Sequence, residues 1–132
     1  MRIGISALGS KRLTGAAELV LRALEDLGHE AENTTDSRIS MGSYDFLVFM
    51  SEPRGLFGGI DPSIELSLAK RDGLQGKRCL AMLRRSGLRP ESALQKFMNA
   101  LEHEGLVVVD GEIFAGSDTI QAAVRNAPYR RG

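Results

Sequence analysis

Residues 1–28, MRIGISALGSKRLTGAAELVLRALEDLG, carry the reading on which the fold turns. Ile3, Ile5 and Ala7 alternate as a short apolar strand, and glycine, serine and cations then break the pattern from Gly9 onward. From Ala16 the apolar residues Ala16, Leu19, Val20, Ala23, Leu24 and Leu27 recur at helical spacing, and Gly28 supplies a C-terminal stop. A strand, a glycine-bearing loop and a one-sided helix form the first part of a βαβ unit. Such units build parallel sheets through right-handed crossovers.

The rest of the chain continues the alternation. HEAEN (29–33) reads as an edge strand, and the polar TTDSRISMGS (34–43) lacks a helical period, so the second helix is expected to be short or absent. YDFLVFM (44–50) is continuously apolar, as a strand covered on both faces must be. Asp61 and Pro62 then start a helix that should run to about Arg71. RCLAML (78–83) is a second buried strand, and a helix from near Pro90 carries Leu94, Phe97, Met98 and Leu101 inward before Gly105. LVVV from Leu106 makes the last strand, which EIF extends or bends after Gly111. Ser117 and Asp118 cap a helix with Ile120, Ala123, Val124 and Ala127 inward and Pro128 as its stop, and 129–132 reads as a frayed tail. The expected class is three-layer α/β with helices on both faces of the sheet, in a single domain over 1–132.

Composition narrows the function. Seventeen Lys+Arg against seventeen Asp+Glu remove the bulk charge that sequence-independent nucleic-acid or anionic-membrane binding would use, so neither partner is expected. Cys79 is the only cysteine and lies in an apolar stretch, which suits a small buried hydrophobe in a reducing compartment. The opening residues are too short and too broken for a signal segment, and the expected location is cytoplasmic. His29 and His103 stand near the ends of different helices without a second ligand at metal spacing, so no metal is expected.

Ligands of open α/β sheets bind beyond the carboxyl ends of the strands, which selects the loops 9–15, 51–60 and 84–90. The first combines Gly9, Gly15, Ser10, Thr14, Lys11 and Arg12 with a helix start, a donor set suited to phosphate. It has neither P-loop nor GxGxxG spacing, and a solvated turn is the plain alternative. Arg78, Arg84, Arg85 and Arg89 suit either a dinucleotide phosphate or solvated charge.

Gly9-Ser10-Lys11-Arg12 followed by Thr14, then Gly28-His29-Glu30, Tyr44-Asp45 through Ser51-Glu52-Pro53, Gly76-Lys77, Gly87, Ala93-Leu94 and Gly105 to Val109, occur in a fixed order along the chain. In that order of features the chain resembles the flavodoxin-like superfamily, in particular its NAD(P)H-dependent FMN and quinone reductase branch. The resemblance implies a five-stranded parallel sheet of order 2-1-3-4-5. It further implies FMN as cofactor, serving electron transfer or flavin reduction with a redox partner protein or NAD(P)H, and a homodimer as one oligomeric option. Ser10, Arg12, Leu13, Thr14 and Gly15 would hold the phosphate. Glu52, Pro53, Arg54, Gly55, Leu56 and Phe57 would frame the ring, with Arg85, Ser86 and Gly87 closing its far side.

The departures are specific. There is no tryptophan, and only Thr14, Gly15 and Glu18 match the end of the short-chain flavodoxin phosphate loop. A flavin-free domain that binds a partner protein at the same end of the sheet, or on a helix face, is therefore the rival reading. Asp61-Pro62-Ser63-Ile64-Glu65 also resembles nucleoside 2-deoxyribosyltransferases, in which Glu65 would be the nucleophile. A phosphorylatable receiver domain is excluded, because Ser6, Ala7 and Ser51 stand where its acidic residues belong.

Overall fold

The computed structural model describes residues 1–36 and 40–130. Along them run β1 (Arg2–Ala7), a 3-10 turn (Lys11–Leu13), α1 (Thr14–Asp26), β2 (Glu30–Asn33), β3 (Phe46–Ser51), α2 (Ser63–Ala69), β4 (Arg78–Arg84), α3 (Pro90–His103), β5 (Val107–Phe114) and α4 (Ser117–Asn126). The strands are parallel and ordered β2-β1-β3-β4-β5, as the sequence predicts.

β3 explains the layering. Every residue of it is buried, and its side chains alternate between two cores. Phe46, Val48 and Met50 join the side covered by α1 and α4, while Leu47 and Phe49 join the side of α2 and α3. β5 gains one residue on β4, since Cys79 faces Val108 but Leu80 faces Asp110. The strand therefore bulges at Val109 and continues through the EIF segment.

Four local expectations change. In α1 the buried stripe is Ala16, Ala17, Val20 and Leu24, whereas Leu19 and Leu27 are left 39% and 43% exposed, because the apolar set is wider than the face that meets the sheet. α2 ends at Ala69 rather than near Arg71, since Arg71 turns inward. α4 is capped by Thr119 instead of Ser117 and Asp118. The Thr119 hydroxyl accepts from the Ala115 and Gly116 amides at 2.9 and 3.0 Å. Finally, Tyr129 is no frayed end. Its ring lies 4.9 Å from Phe46 and 5.1 Å from His29, its hydroxyl donates to the Val124 carbonyl, and burial pushes its pKa up to about 12. The rest of the expected tail, 131–132, lies outside the described residues.

Arg71 ties the residues that follow β2 to β1. Its guanidinium, almost fully buried, donates to Ser6 Oγ at 2.9 Å, the Thr34 carbonyl at 2.7 Å and the Thr35 carbonyl at 3.0 Å, and touches Met41 sulfur at 3.7 Å. Burial lowers its pKa from the usual arginine value. Backbone carbonyls after β2 are thereby satisfied without helical hydrogen bonds. Part of the 34–43 connection, residues 37–39, lies outside the described residues.

Candidate functional site

The loops at the carboxyl end are fixed by the exits of β1 and β3. The Leu8 amide donates to the Met50 carbonyl, and the buried Ser51 hydroxyl donates back to the Leu8 carbonyl, each at 2.8 Å. Gly9 then turns with φ +77°, and a Cβ there would lie 3.0 Å from Asp61 Cβ and 3.1 Å from Ile64. Only glycine meets both demands. Ser10 caps the 3-10 turn by accepting from the Arg12 amide at 3.1 Å, and Thr14 donates to the Lys11 carbonyl at 3.0 Å.

Glu52, the first residue after β3, is the centre of the arrangement. The residue is 8% exposed, and its carboxylate draws donors from the first loop and from the end of β4. Ser10 donates to Oε1 at 3.2 Å, the Arg12 guanidinium pairs with the same oxygen, and Arg84 reaches Oε2 at 3.4 Å. Arg84 also donates to the Arg12 carbonyl at 3.3 Å, which closes the ring of contacts. A buried carboxylate needs such compensation, and charged hydrogen bonds supply it.

The second loop folds back on itself where the Arg54 amide donates to the Gly59 carbonyl at 2.8 Å. Leu56 and Phe57 sit at its tip, 60% and 72% exposed, while Pro53 is buried. The third loop rests directly on the second. The Leu88 amide donates to the Leu56 carbonyl at 2.9 Å, and Gly87, at φ +71°, leaves only 3.1 Å between its Cβ position and the Gly55 carbonyl.

Two clefts flank the first loop. The larger, about 660 Å³, is lined by Ser10, Lys11, Thr14, Asn33, Thr35 and Ser63 among others. Lys11 makes no ion pair with any described residue. Thr35 is positioned by its hydroxyl, which donates to Asn33 Oδ1 at 2.6 Å and accepts from the Ala7 amide at 3.1 Å. The smaller, about 170 Å³, lies between the first two loops and includes Arg12, Glu52, Pro53, Arg54, Gly55 and Asp61. Hydrogen bonds from the Ser63 side chain and amide hold the Asp61 carboxyl below the usual range.

The sequence-predicted residues divide accordingly. Ser10 and Arg12 meet at Glu52, and Thr14 lines the larger cleft. Leu13 is fully buried in the core beneath the loop, and Gly15 is an exposed first-turn residue that lines neither cleft. Arg85, Ser86 and Gly87 line neither cleft; Arg85 approaches Glu91 at 4.0 Å. Arg78 belongs to the other end of β4, where it donates to the Pro128 carbonyl at 2.8 Å. Glu65 is exposed on α2 outside both clefts, so the glycosyl-transfer reading finds no support.

Reading by motif undervalues Lys11, Asn33, Thr35, Ser63 and Arg84. Strand parity was the available signal for the end of β2, which pairs with β1 and so brings Asn33 beside the first loop. Among the described residues there is no cluster of three or more His, Cys, Asp or Glu placed to hold a metal ion, and no helix is long and apolar enough to cross a membrane. Cys79 is buried, and that burial pushes its thiol up to about 12.

FMN would need room for a tricyclic ring between the second and third loops and free donors for its phosphate. The loops touch, and two of the expected donors hold Glu52, so the slot as arranged does not fit the group. The larger cleft offers the Lys11 ammonium as a donor, and its lining hydroxyls, which donate within the chain, face it as acceptors.

Among solved structures, the chain is similar to the flavodoxin of Streptococcus pneumonia TIGR4, with a TM-score of 0.69 at 13% identity over 94% of each chain. It is also similar to two-electron reduced Megasphaera elsdenii flavodoxin, with a TM-score of 0.61 at 16% identity over 95% of this chain and 99% of that one. A mutant flavodoxin from Pseudomonas aeruginosa aligns with a TM-score of 0.64 at 13% identity over 96% and 100%. No family model matches the sequence, and no curated protein does. The parallel order β2-β1-β3-β4-β5, its helices on both faces and these likenesses give the chain a flavodoxin-like fold.

Proposed function

We propose that this chain is a flavodoxin-fold domain that binds a phosphorylated small molecule on its first loop, in the larger cleft. The observation that carries this reading is Lys11, which pairs with no described residue, at the N-terminal approach to α1, lining a cleft of about 660 Å³ with Ser10, Thr14, Thr35 and Ser63. An ammonium and a helix N-terminus favour a phosphate, and hydroxyls and the Asn33 amide suit a polyol chain. The fold itself decides no ligand.

FMN is the ligand to test first, because the likeness to flavodoxins supports it. An electron-transfer or reductase role, with a redox partner protein or NAD(P)H, depends on that binding. Fluorescence titration of the purified protein with FMN, with riboflavin and inorganic phosphate as controls, tests the reading. Saturable FMN binding that riboflavin does not match, and that Lys11→Ala weakens by about 1.5–3 kcal/mol, is the expected result. Equal binding of FMN and riboflavin would remove the phosphate site.

One observation favours a second, flavin-free reading. Leu56, Phe57 and Leu88 are 60%, 72% and 70% exposed, and the Leu88–Leu56 hydrogen bond brings their loops together beside the exposed Arg54, Arg85 and Arg89. An apolar tip rimmed by cations suits an acidic protein surface. Absence of FMN and phosphate binding by folded protein would favour this reading over the first.

A further inference from the structure

We infer that Glu52 is an internal anion that occupies the place of an external one, making it the residue that excludes phosphate-bearing ligands from the slot between the first and second loops. The inference goes beyond the cleft reading and does not depend on it, because it concerns the other side of the first loop.

The donor set is the argument. Ser10 at 3.2 Å, Arg12, and Arg84 at 3.4 Å are a hydroxyl and two guanidinium groups converging on one point from two loops, the set that binds a phosphate monoester. Here the point is taken by a carboxylate that is 8% exposed. An arriving phosphate would have to share the Ser10 hydroxyl and the inward guanidinium edges with Glu52, and would sit as a second anion beside that buried carboxylate. Both changes are unfavourable in a slot of about 170 Å³. The Glu52 contacts also join the exits of β1, β3 and β4, so the same charge that repels a ligand keeps the slot narrow. The larger cleft escapes this exclusion, since Glu52 is not in its lining.

Glu52→Gln tests the inference because it removes the charge while keeping the shape and an oxygen acceptor. Inorganic phosphate, titrated by calorimetry, should bind the folded variant roughly tenfold or more tightly than the parent chain. Riboflavin should show no gain. The gain should vanish when Arg12→Ala is added, and it should survive Lys11→Ala. Unchanged or weaker phosphate binding by folded Glu52→Gln overturns the inference, as does a gain that persists without Arg12. Failure of the cleft reading would appear separately, as parent-chain binding that is indifferent to Lys11→Ala.

If the variant does not fold, NMR titration of the parent with phosphate decides instead. Side-chain signals of Arg12 and Glu52 should stay fixed, and their movement with phosphate would overturn the inference. Movement or stillness of the Lys11 and Thr14 amides reports on the cleft reading alone.

Discussion

The two sides of the first loop use neighbouring cations in opposite ways. Arg12 turns back over the slot to pair with the buried Glu52, its own side chain staying largely exposed. Lys11, one residue earlier, stays at the larger cleft with its charge uncompensated by any described residue. The loop therefore contains both a spent cation and an available one. What separates them is the long-range partner that Arg12 meets on folding and Lys11 does not, which neither residue type nor loop composition specifies.

The largest expected effect comes from reversing the available charge. Lys11→Glu should abolish measurable phosphate-ester binding in the larger cleft, a loss of at least about 3 kcal/mol because attraction becomes repulsion, with little change in thermal stability. Retained binding on titration would break the comparison on the cleft side. Arg12→Ala should do the reverse. It should leave ligand affinity nearly unchanged but cost about 1–2 kcal/mol of stability in urea denaturation, because the buried Glu52 carboxylate loses its closest donor.

Gly9→Ala sharpens the comparison by moving the wall between the two sides. The positive φ and the close approach to Asp61 and Ile64 should together cost about 1–2 kcal/mol, measured by the same denaturation. Asp61 belongs to the small slot, so that side should be disturbed first.

The smallest effect lies at the opposite end of the sheet and serves as a control. His29 has its pKa lowered by burial, then by the positive N-terminus and Arg130. The unfolded chain thus takes up the proton first as pH falls through 6.5, and stability present above that pH is lost toward the lower folded value. Melting temperature should decline slightly over this interval and flatten in His29→Gln, while binding in the larger cleft responds to neither. A decline that His29→Gln leaves unchanged would assign the titration to another group.

Much of the fold was legible because its signals are local. The alternation in β1, the unbroken apolar run of β3 and the Pro90 helix start each lie within a few residues and give a parallel α/β sheet, whereas the strand order was implied by the family resemblance. The candidate site was legible as three loops but not as a set of contacts. Glu52 meets Arg12 across an interval of 40 residues and Arg84 across 32, and neither pairing leaves a periodic trace. The same holds for Arg71, which reaches back 65 residues to Ser6, and for Tyr129, which packs on Phe46 and His29. Leu13 shows the converse error: its place in a ligand-like loop suggested a contact role, whereas its side chain is core.

The central claim is that the available cation is Lys11 and the spent one is Arg12. A paired calorimetric titration of FMN into Lys11→Ala and Arg12→Ala, beside the parent chain, tests it most directly. Affinity lost in the Lys11 variant and kept in the Arg12 variant is the result this account predicts. Affinity lost with Arg12 and kept with Lys11 would contradict it, and would place the phosphate in the slot that Glu52 is argued to close.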